Sequence, residues 1–74
     1  MTLIEFWLEV DHRHRNLVGV QRYGQVAFNL LNEVRPDLAD RVIGSDIDPF
    51  YVHFHQTDYR FLRFCDFLID NWEG

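Results

Sequence analysis

Four histidines stand in two H-x-H pairs, His12/His14 and His53/His55. In extended backbone, residues two apart project to the same side, so each pair could present two imidazoles to one cation. Cys65 or a nearby aspartate could then complete a tetrahedral zinc shell. The companions that usually make such a site are missing, since the chain has neither C-x-x-C nor H-x-x-x-H. Histidines solvated or hydrogen-bonded among neighbouring acids and arginines are the simpler reading. No cofactor is expected, and a metal-binding or regulatory domain using His12, His14, His53 and His55 is the alternative.

The stretch DIDPF, with Asp46 and Asp48 at alternate positions, invites comparison with a calcium loop and fails it. Such a loop needs glycine at its sixth position and glutamate at its twelfth, where this chain has Tyr51 and Thr57. Turn formation and capping explain these aspartates better. Catalysis has equally little to stand on. Cys65 falls among apolar residues, where a thiol behaves as a small hydrophobe, and no phosphate-cradling glycine loop is present. Asp66 and Asp70 are one helical turn apart, the spacing of a solvated face and not of a shielded acid–base pair. The residues predict a protein that is not an enzyme.

Composition sets the frame for these side chains. The chain has 74 residues, 47% hydrophobic and 16% aromatic, and reads as a single small domain over residues 1–74. A globule this small has too much surface to hide twelve large rings, so a binding face or self-association, most simply a homo-oligomer, is expected. The net charge of −5 has the wrong sign for neutralising phosphates, which argues against direct nucleic-acid binding. One cysteine and the lack of any long apolar run predict a cytoplasmic protein with no membrane role.

The patterning predicts an all-α fold, a small bundle of about three to four short helices. Thr2 and Glu5 have capping-box spacing, with Ile4, Trp7 and Leu8 sharing one face of a first helix. A short strand competes for that segment. DHRHRN follows as a polar joint. From Leu17 to Val34, capped by Asn16, the stripe Val20, Tyr23, Ala27, Leu30, Leu31 and Val34 predicts the best-defined helix. Gly19 and Gly24 are its weak points, and Gly24 could admit a close neighbour. Pro36 opens a short helix stopped by Gly44, with Leu38 and Val42 inward. A turn through Ser45–Pro49 leads to one extended segment near residues 51–55, where Val52 and Phe54 alternate with histidines.

Asp58 then caps a last helix reaching about Trp72, with Phe61, Leu62, Cys65, Leu68, Ile69 and Trp72 facing the core. Phe64 and Phe67 lie off that stripe. They are expected to join Phe50 and Tyr51 in an apolar docking patch for another protein, rimmed by Asp66 and Asp70. Eight of the twelve acids follow residue 36. Such an acidic half can imitate a phosphate backbone, though ordinary surface patterning explains it more simply.

The run RYGQVAFNLLNEVRPDLADRVIGSDIDPFY resembles a pattern in small uncharacterised bacterial and phage proteins. The pattern runs R-x-G-Q, N-x-L, P-x-L and D-P-F/Y, matched here by Arg22, Gly24, Gln25, Asn29, Leu31, Pro36, Leu38, Asp48, Pro49, Phe50 and Tyr51. The resemblance implies a prokaryotic or phage-infected host cell and carries no activity. A phage origin would fit a small interaction module that inhibits a host defence complex.

Overall fold

Each helix begins and ends where local chemistry permits. The computed structural model describes residues 1–17, 19–52 and 58–73, and comprises α1 (Leu3–Asn16), α2 (Tyr23–Val34), α3 (Pro36–Val42) and α4 (Tyr59–Asn71), with no strand among the described residues. The all-α expectation therefore holds. Of the extended segment near 51–55, Tyr51 lies in a turn, Val52 is buried, and the remainder lies outside the described residues. Thr2 and Glu5 form the predicted capping box at α1, and the Asp58 carboxylate accepts the Arg60 N–H at 2.8 Å at α4.

The first helix is longer than its sequence suggests. DHRHRN is no joint: it forms the last turns of α1, where Arg13, His14 and Arg15 complement the negative end of the helix dipole and Glu9 pairs with Arg13 at 2.8 Å. Asn16 is likewise not a cap for the next helix, since it ends α1 and donates its side-chain amide to the His12 carbonyl. Gly19 and Val20 lie in a turn before α2, in which Gly19 takes φ +83° and Val20 is exposed. The second helix consequently starts at Tyr23.

α2 is the centre of the molecule. Tyr23, Val26, Ala27, Phe28, Leu30 and Leu31 are all buried, so it is covered on every side except the stripe carrying Gln25, Asn29, Asn32 and Glu33. Arg35 alone separates it from α3, with extended φ of −141° before Pro36, and Gly44 at φ +74° closes the far end of α3. Gly24 does admit a close neighbour, but a loop and not a helix. Its N–H donates to the Val52 carbonyl at 3.2 Å, and a Cβ there would lie 1.8 Å from the Pro49 carbonyl oxygen.

α4 meets α1 through aromatic side chains. Trp72, at its C-terminal end, meets Phe6 at a centroid distance of 5.2 Å and donates its indole N–H to the Met1 carbonyl, whereas Phe61, near its start, meets Trp7 at 5.8 Å. The inward face of α4 is rotated from the predicted one, and that of α1 lies off the face that Ile4, Trp7 and Leu8 share. In α1, Phe6 and Val10 are buried and Ile4 and Leu8 exposed; in α4, Phe61, Phe64, Leu68 and Trp72 are buried and Leu62 and Ile69 exposed. Two apolar stripes overlap on each helix, and in α4 the one with more ring area enters the core because it removes more apolar surface from water.

Candidate functional site

The face that meets solvent on α1 carries Ile4, Leu8, Asp11 and Arg15 at helical spacing, with Met1 just before the helix, and that on α4 carries Tyr59, Leu62, Asp66 and Ile69, with Glu73 just after it. Ile4 is 74% exposed, Leu8 64%, Ile69 64% and Leu62 49%, large values for aliphatic side chains in so small a domain. Trp7 links the two helices. Its part-exposed ring packs edge-on to Phe64 at 6.3 Å and neighbours Ile4 one turn before it. Half-buried Cys65 lies one turn from both Phe61 and Ile69, and its thiol is pushed above its ordinary pKa by burial and, second, by Asp66. A protonated thiol in that position extends the apolar surface and is a poor nucleophile.

Acids border this surface, with Glu73 within the electrostatic reach of Arg35. Glu33, Glu9, Asp37 and Asp46 are held in ion pairs by Arg13, Arg35 and Arg63, while Asp66, Asp70 and Glu73 make no ion pair within 4 Å among the described residues. Asp11 accepts a hydrogen bond from the Tyr23 hydroxyl at 2.6 Å. Burial first, then that bond and the carboxylate charge, drive the Tyr23 phenol far above its ordinary range.

The predicted docking residues do not form one patch. Phe64 is fully buried, enclosed by Trp7 and Phe61, because it belongs to the stripe that α4 turns inward. Phe67 is half-buried beneath the Arg41 guanidinium, 5.0 Å from its ring centroid. Phe50 packs on Phe28 at 6.0 Å, and exposed Tyr51 stands against it at 5.1 Å, with Arg22 over both rings. This group belongs to the loop beside Gly24. Asp66 and Asp70 are exposed as expected. Leu62 and Ile69 are what sequence reasoning placed inward, and Ile4 and Leu8 were given one shared face with no direction; the competing stripes Phe6–Val10 and Phe61–Phe64–Leu68 were the signal for which faces enter the core.

The histidine constellation loses its geometric basis at one end. His12 and His14 lie on α1, where residues two apart project about 200° around the axis and cannot share an ion. His14 instead packs edge-on to Tyr23 at 5.1 Å. His53 and His55 lie outside the described residues, among which no three His, Cys, Asp or Glu side chains converge on a possible metal position. Asp48 does turn work, accepting the Gly44 and Phe50 N–H groups at 2.9 and 3.0 Å, and Asp46 pairs with Arg63. A cleft of about 350 Å³ at the α1–α2 turn is lined by His14, Gly19, Val20, Gln21, Arg22 and Tyr23, with Arg22 already committed to Phe50 and Tyr51.

No known protein family, curated protein or solved structure matches the chain. No described helix is long and apolar enough to cross a membrane.

Proposed function

We propose that this chain is a non-enzymatic protein-interaction module that docks another protein through the outward side of α1 and α4. One observation carries the reading: Ile4, Leu8, Leu62 and Ile69 stand exposed on two helices tied together by Trp7 and Trp72, although the core had other large side chains to bury. Contiguous exposed apolar surface rimmed by polar groups is the usual mark of a binding face. The narrower reading, inhibition of a host defence complex, draws on the sequence resemblance alone.

The test is site-specific photo-crosslinking in cells that express the protein. A photoreactive residue at Ile4 or Ile69 should give a discrete protein adduct, and the same residue at exposed Asp40 on α3 should give none. Absence of any adduct from the α1–α4 positions would remove the proposal's support.

A further inference from the structure

Resting on that reading of the α1–α4 face, we infer that its occupant is a basic amphipathic helix of a partner protein. The solvent side of α4 offers a partner helix a surface on which to lie, and Tyr59 to Asn71 spans about 18 Å, a little over three turns. The chemistry along that length alternates. Leu62 and Ile69 are apolar, while Asp66 and Glu73 continue the same stripe and Asp70 stands beside it. A matching helix presents Leu- or Ile-type side chains at i, i+3, i+4 and i+7, with Lys or Arg flanking them.

Charge decides between this partner and a second copy of the chain. Among the described residues Arg15 is the only side-chain cation on the two outward stripes; Arg13 and Arg63 reach to Glu33 and Asp46, and exposed Arg60 lies off the α4 stripe. A self-complementary interface would set two copies of the same net-negative surface against each other, with too few cations to balance it. A basic helix meets the same acids with attraction, and the net charge of −5 favours its approach.

The probe is a fluorescein-labelled peptide of about 18 residues with Leu at those positions and Lys on its flanks, compared with the same peptide carrying Glu. Fluorescence anisotropy should show the Lys peptide binding at least about tenfold more tightly, with affinity falling as salt rises. Asp66→Lys/Asp70→Lys should abolish that preference, whereas Asp37→Lys/Asp40→Lys on α3 should leave it. Ile4→Ser/Ile69→Ser should weaken binding with the melting temperature unchanged. Equal binding of both peptides, still lost in Ile4→Ser/Ile69→Ser, would overturn the basic-helix inference and leave the docking face standing. So would a dimer in light scattering that Ile69→Ser converts to monomer. Binding indifferent to Ile4 and Ile69 would remove both.

Discussion

Phe64 has no exposed surface and touches the rings of Trp7 and Phe61, so its replacement opens a cavity between α1 and α4. Phe64→Ala should cost about 3–5 kcal/mol out of about 4–11 for a domain this size, enough to lower the denaturant midpoint steeply. The contrast with Ile4→Ser is the informative part, since an exposed residue should change stability by no more than about 0.5 kcal/mol. Gly24 gives a second contrast. Alanine is the better helix former, yet its Cβ would meet the Pro49 carbonyl at 1.8 Å, and backbone cannot swing aside as a side chain can. Gly24→Ala should therefore lower the melting temperature and shift the Phe50 and Tyr51 resonances in NMR spectra. Tyr23 adds a pH effect. Its raised phenol pKa means that the unfolded chain ionises first, so the stability due to this group is intact below about pH 10 and is lost as pH rises beyond it. Tyr23→Phe should flatten that alkaline loss in denaturant titrations across the range.

At the scale of elements, the caps are the most separable contributions. Asp58→Ala removes the acceptor for the Arg60 N–H and should cost about 1 kcal/mol, visible as fraying at the start of α4 in amide hydrogen exchange. Helix number, α3 with its Pro36 and Gly44 limits, and the caps Thr2 and Asp58 were legible because each depends on residues within a turn or two. The inward faces of α1 and α4 were not. In each helix two stripes satisfy the 3.6-residue period, and the choice between them depends on Trp7, Phe61, Phe64 and Trp72 meeting across a sequence separation that no local pattern contains. The α1–α2 boundary was obscured for a related reason: Val20 continues the α2 period, but Gly19 ends the helical path before it. Of the candidate site, the outward acids Asp66 and Asp70 were readable from their spacing, and the apolar residues beside them became visible only once the buried stripe was known.

For the whole molecule, the exposed carboxylates govern behaviour in acid. Glu5 is held below its ordinary range by the Thr2 backbone N–H and, second, its hydroxyl; Asp37 is held there by Arg35. Both lowered values mean stability that is present above the ordinary carboxylate range and lost as pH falls below about 4, through the folded-state values. Thermal unfolding should show a plateau near neutrality and a shallow acid decline, reduced in Asp37→Asn. The radius of gyration, 11.2 Å, matches the value of about 11 Å for a compact chain of this length, so the four helices lie close enough to one core for these effects to be felt globally.

The hydrogen bond from the Trp72 indole to the Met1 carbonyl, 3.1 Å long, makes the backbone trace a nearly closed ring. Arg35 reinforces the closure from the middle of the chain, donating to the Trp72 carbonyl and lying over its ring at 5.4 Å. In such a ring an exposed turn can be opened in place of the present ends, because a short linker can connect those ends and its closure costs little entropy. A circular permutant joined from Glu73 to Met1 by a short Gly/Ser linker and opened at Gly19–Val20 should keep the helical circular dichroism of the parent. It would also move both termini to the α1–α2 turn, leaving Ile4 and Ile69 on an uninterrupted stretch of polypeptide.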